Sequence, residues 1–203
     1  MTEVARQASM DERLAELSRR MLDLHISRIG EMPRVELYLE QVLSTVSAEL
    51  SLISLPNETT ITGPMVNSYV KRRIVPAPTN RRYTRRHLAT LLFVCSFKRV
   101  FSIAQVEALL NSMWSAGIDM AGAYDGLVDA FEHALADLFS GGGGGAAAAH
   151  AEVSLGGGAA LDQLLSAAIL ALANKVYAEQ TLAIIGDSAD PDEGSPRVYS
   201  TVP

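Results

Sequence analysis

The sequence predicts a mainly α protein: a winged helix-turn-helix with a small β wing, followed by C-terminal helices. Three observations predict it. Of the 203 residues, 48% are hydrophobic but only 6% aromatic, which suits helices packed through Leu, Ala, Ile and Val rather than an all-β sandwich. Apolar residues recur at spacings of three and four through most of the chain. Between two of these helical patterns lies a basic stretch punctuated by prolines, at the place where a wing would fall.

The elements follow in order. Residues 1–10 read as a loose tail. From Asp11, the residues Leu14, Leu17, Met21 and Leu24 mark an amphipathic helix that Gly30 and Pro33 break. Residues 34–49 give a second helix, and Pro56-Asn57-Glu58 a turn. A short helix over 62–73 starts with Thr62 as cap and Pro64 in the first turn, where a missing N–H costs nothing. Pro76 and Pro78 forbid its continuation, so residues 74–83 are expected to be extended and tight. Thr84 opens the next helix, and the capping box Ser102-Ile-Ala-Gln105 opens another. Residues 123–139 place Leu127, Val128, Phe131, Leu135 and Leu138 at helical spacing. The glycine run that follows costs too much backbone entropy for a helix or strand, so 140–158 reads as a flexible insertion. It lacks the Lys-Ser/Thr of a phosphate loop. A last helix spans about 159–185, and the acidic tail 186–203 reads as disordered. The chain thus divides into an N-terminal helix with its tail (1–30), a winged helix-turn-helix unit (31–112), a helical dimerisation or sensor region (113–185) and the tail.

The formal net charge of −6 argues against nucleic-acid binding until it is resolved along the chain. Residues 1–58 carry ten acids and six bases. Residues 59–106 carry no acid and nine bases: Lys71, Arg72, Arg73, Arg81, Arg82, Arg85, Arg86, Lys98 and Arg99. Residues 107–203 carry thirteen acids and two bases. Such a run is either a solvated face that balances the acidic remainder through internal ion pairs, or a site for a polyanion.

Placed on the elements, the basic run suggests chemistry. On helix 62–73, Pro64, Asn67, Ser68, Lys71 and Arg72 share one polar face, while Met65, Val66, Tyr69 and Val70 face inward. Asn can read adenine in a major groove, and Lys or Arg can read guanine. Arg81, Arg82 and Tyr83 fall on the wing. Arg85 and Arg86 occupy the first turn of the next helix, where the helix dipole favours acids, so an outside phosphate would compensate them. The DNA-binding candidates are therefore Asn67, Ser68, Lys71, Arg72, Arg81, Arg82, Tyr83, Arg85 and Arg86. His87 reads as helix surface, Tyr69 as core, and Lys98 and Arg99 as partners of the acidic C-terminal half.

Three segments, Tyr69-Val-Lys-Arg-Arg-Ile-Val-Pro-Ala-Pro78, Arg82-Tyr-Thr-Arg-Arg-His-Leu-Ala89 and Phe101-Ser-Ile-Ala-Gln-Val-Glu-Ala-Leu-Leu110, resemble the MerR winged-helix domain. With Met32-Pro-Arg-Val-Glu-Leu-Tyr-Leu-Glu-Gln-Val42 and Ile61-Thr-Gly-Pro-Met-Val-Asn-Ser-Tyr-Val-Lys71, residues 27–112 resemble a bacterial family of uncharacterised proteins, the domain of unknown function 1836. The resemblance implies a MerR-like DNA-binding fold and transcriptional regulation. It supplies no target and no effector.

The remaining sequence signals are few. Cys95 sits alone in an apolar run and reads as a buried structural thiol, with no partner for a disulfide or thiolate metal site. No acid/base or metal cluster stands out, so no catalytic role, cofactor or metal is expected. The N-terminus lacks the apolar core of a signal peptide. The longest apolar stretches, 88–97 and 167–173, fall short of about 20 residues, and the chain reads as cytoplasmic. The expected partners are double-stranded DNA and a second copy of the chain, with a small-molecule effector as a further option. The alternative reading is a winged-helix interaction module that docks an acidic protein.

Overall fold

Helix α4 (Arg85–Phe97) organises the molecule, because eleven of its thirteen residues are buried. Its sequence after Arg86 is apolar on nearly all sides, as expected of a helix covered from several directions. In the computed structural model, residues 3–140 and 149–188 are described. Six further helices stand with it among them: α1 (Glu3–Leu22), α2 (Leu39–Glu49), α3 (Gly63–Lys71), α5 (Ile103–Ser115), α6 (Met120–Ser140) and α7 (Ala159–Ser188). On one side α2 packs against α3 and α4. On the other, α1, α6 and α7 pack together, and α6 and α7 lean on α4. One continuous apolar core runs through both layers, from Leu17 and Met21 through Val46, Val66 and Leu91 to Leu135 and Leu172.

Local signals place most helix starts. The Thr62 hydroxyl accepts the Met65 N–H, and Ser102 and Gln105 form the expected reciprocal cap. The N-terminus differs from expectation. Helix α1 begins at Glu3 rather than Asp11 and ends at Leu22. The segment after it is held by acids: Ile26 N–H donates to Glu132, Ile29 N–H to Asp125, and Ser27 N–H and hydroxyl to Glu49. Arg28 ties the same segment to α6 through Glu132 and Asp129. Hydrogen bonding to Glu132 outweighs burial and raises the Arg28 pKa further.

The expected β wing is absent among the described residues, which hold no strand. Two isolated antiparallel bridges stand in its place, Leu37 with Tyr83 and Thr79 with Arg82. The two prolines remove ladder donors and shorten the hairpin to its turn. Residues 79–82 form that turn: Arg82 N–H donates to the Thr79 carbonyl at 2.8 Å, and Asn80 and Arg81 have φ of 50° and 61°. This is the type I′ geometry that fits a twisted hairpin.

Within the expected insertion, residues 141–148 lie outside the described residues. Residues 149–158 form an irregular strap with Val153 buried, its N–H bound by Ser166, and with Leu155 N–H bound by Asp162. The tail from residue 189 also lies outside the described residues. Helix α7 is long and apolar enough by length and composition to cross a membrane, contrary to the shorter runs read from the sequence. Its residues Leu165, Ala168, Ile169, Leu172, Ala173 and Val176 are nevertheless buried within the chain.

Candidate nucleic-acid interface

Helix α3 turns its apolar residues inward as its spacing predicts. Val66 and Tyr69 are buried, Met65 and Val70 half-buried, and Pro64, Asn67, Ser68, Lys71 and Arg72 exposed. The helix stops in a Schellman arrangement. Arg73 N–H donates to the Val70 carbonyl at 3.0 Å and Ile74 N–H to the Tyr69 carbonyl at 2.9 Å. This closure puts Arg73 at φ 61°, in the left-handed region. An L-residue with a Cβ is held there at a cost of about 1–2 kcal/mol, and Arg81 carries the same burden in the turn.

The turn is fixed to the segment before α2. Leu37 and Tyr83 exchange both backbone hydrogen bonds, at 2.8 and 2.9 Å. Beside this pair, Arg82 stacks on the Tyr38 ring, 3.6 Å from its centroid, and donates to the Tyr38 hydroxyl at 2.5 Å. Tyr38 is 53% exposed and its neighbour Val35 70% exposed, so Arg34, Val35 and Tyr38 widen the surface around the turn. The sequence reading missed them, because nothing local links Tyr38 to a residue 44 positions away. It also missed Arg73, although the helix stop before Ile74-Val75-Pro76 marks that residue as the exit of α3.

The predicted cations meet different fates. Arg72 pairs with Glu107 on α5 at 2.7 Å, an exposed contact worth about 0–1 kcal/mol. Arg85 donates to the Ile29 carbonyl at 3.2 Å and is half-buried. Lys71, Arg73, Arg81 and Arg86 are exposed, and no described residue gives any of them an ion pair or side-chain hydrogen bond. Lys98 donates to the Thr60 carbonyl. Arg99 is buried between Glu58 and Glu179. Burial opposes its charge, but the two carboxylates outweigh it and raise its pKa, and burial likewise yields to their cations in lowering both carboxyl pKa values.

Two aromatic assignments change. Tyr83 does not stand on the wing surface: its ring is buried and meets His87 edge-on. His87 is not helix surface either. Its Nδ1 accepts the Thr84 N–H at 3.0 Å and closes a capping box at the start of α4. Burial lowers its pKa, Ala77 and Glu36 oppose that shift, and Arg86 reinforces it. The ring is therefore neutral, as the accepting Nδ1 requires.

Elsewhere, a cavity of about 40 Å³ lies between α4, α6 and α7, lined by Phe93, Ser96, Tyr124 and Phe131 among others. The buried Tyr124 hydroxyl has no hydrogen-bond partner among the described residues. No group of three or more His, Cys, Asp or Glu suited to a metal ion occurs among them.

Residues 27–127 match the model of a family described as a domain of unknown function (DUF1836). The match supports the family resemblance and extends it into α6. No curated protein and no solved structure matches the chain.

Proposed function

We propose that this protein binds double-stranded DNA in a sequence-specific way and acts as a bacterial transcriptional regulator of MerR-like winged helix-turn-helix design. In this reading α3 enters the major groove, where Asn67, Ser68 and Lys71 meet base edges. The 79–82 turn and Arg86 meet the flanking phosphates. One observation carries the reading: Lys71, Arg73, Arg81 and Arg86 are exposed around α3 and the turn without a described carboxylate partner. Cations left this way in an otherwise acidic chain suit an external polyanion.

Dimerisation belongs to the same proposal, because two-fold symmetry lets two short half-sites be read together. Leu164 and Leu182 are exposed on α7 and lie five helical turns apart on one face, with Ile185 close by. They suit contact with a second copy in the cytoplasm. A small effector would find about 40 Å³ in the α4–α6–α7 cavity, room for about three waters. It would have to enlarge that space on entry.

The second reading, docking of an acidic protein, draws on exposed Val35 and Tyr38 beside the turn. A salt-titrated shift assay with a pool of random duplexes separates the two. Duplex binding that weakens steeply with salt supports the DNA reading. No binding at low salt, or no salt dependence, overturns it and favours the protein partner.

A further inference from the structure

Among the described residues, four other than glycine have positive φ: Asn57 at 66°, Arg73 at 61°, Asn80 at 50° and Arg81 at 61°. Asparagine tolerates this region, because its short side chain bonds locally. Arginine has no such excuse. Both arginines stand where glycine fits best, one at the left-handed stop of a helix and one at the second central position of a type I′ turn.

Nothing among the described residues explains the choice. Both side chains are exposed and meet no described carboxylate, carbonyl or ring. Their sequence neighbours differ. Arg72 has an ordinary φ of −79° and pairs with Glu107. Arg82 lies on Tyr38. A costly backbone held at an exposed cation with no described partner points to use outside the chain.

We propose that Arg73 and Arg81 each neutralise a duplex phosphate and together fix how α3 sits on DNA. Arg73 does so from the exit of the helix, and Arg81 from the tip of the turn joined to it by Ile74–Asn80. Phosphate contacts of this kind set register without reading sequence. The proposal rests on the duplex-binding reading above.

The test uses the full chain and compares Arg73→Gly, Arg81→Gly and Asn57→Gly. Each removes a positive-φ side chain, but Asn57 lies outside the basic surface. Thermal unfolding and affinity for the random-duplex pool are measured across a salt series. Arg73→Gly and Arg81→Gly should each raise Tm by about 2–4 °C, and Asn57→Gly by less, because asparagine already tolerates the region. Arg73→Gly and Arg81→Gly should each weaken binding about tenfold and flatten the log–log salt dependence by about 0.9. Asn57→Gly should leave affinity and slope at wild-type values, and Arg73→Lys should keep the slope. If either arginine variant gains Tm and keeps wild-type affinity and slope, the proposal falls while duplex binding stands. A lower Tm in either would assign that arginine to the fold and overturn the proposal as well. A wild-type chain that binds no duplex at low salt overturns the functional reading itself.

Discussion

Arg86 and Arg99 belong to the same acid-free stretch, yet they live in different surroundings. Arg99 has a side chain only 6% exposed, wedged between Glu58 of the α2–α3 loop and Glu179 of α7. Arg86 is exposed at the start of α4, and its side chain has no described partner. The back of the basic segment, Lys98 and Arg99, fastens the α2–α3 loop to the rest of the molecule, and Gln180 adds bonds to the Leu52 and Ser54 carbonyls of that loop. The front, from Lys71 to Arg86, leaves most of its charge outside. Internal balancing is therefore realised at the back, while most of the front's charge has no carboxylate partner among the described residues. Sequence position alone does not separate them; burial and partners do.

The difference can be broken at several points. The largest effect is expected at the back. Arg99→Ala takes the shared cation from the half-buried side chains of Glu58 and Glu179, leaving Glu179 with Lys175, and should cost about 3–5 kcal/mol of stability, read by denaturant unfolding. Arg86→Ala should leave stability within about 0.5 kcal/mol and weaken duplex binding across all sequences, in a filter or shift assay. Equal stability losses in the two variants would erase the distinction. Asn67→Ala should change sequence preference by about 1–3 kcal/mol at one base pair, seen by selection from the duplex pool, with little change in the salt slope.

A smaller effect concerns the joint between α4 and the turn. Because burial holds the folded His87 pKa below its ordinary 6.5, the unfolded chain takes up its proton first as pH falls. The stability present above pH 6.5 then declines below it. His87→Gln keeps an acceptor for the Thr84 N–H and removes that titration, so its Tm should fall less between pH 7.5 and 5.5 than that of the wild type. The smallest effect is at Cys95. Burial pushes its thiol up to about 11, so the folded chain should resist thiol labelling at pH 7.5 until denaturant is added.

Much of the helical plan was legible because its signals are local. Thr62, Thr84 and Ser102 cap helices where the sequence places them, and the alternation of polar and apolar residues on α3 gives its buried face. Contacts between distant segments were not legible. Tyr83 sits in a polar, basic stretch and looks exposed until Leu37 pairs with it; His87 follows two arginines and looks like surface until Thr84 and Tyr83 enclose it. The wing failed because a strand needs a partner of matching length, and Pro76 and Pro78 leave only the turn. For the candidate site, helical spacing found Asn67, Ser68 and Lys71. Arg73 and Tyr38 needed backbone angles and a long-range stack that no spacing encodes.

In the proposed function, the front of the basic segment serves an external polyanion. This role is tested most directly by the salt dependence of duplex affinity for the intact chain beside the double variant Arg81→Ala/Arg82→Ala. The wild type should show steep salt dependence, and the variant a log–log slope lower by about 1–2 with unfolding little changed. Identical slopes in the two proteins, or no duplex binding by the wild type at low salt, would contradict it.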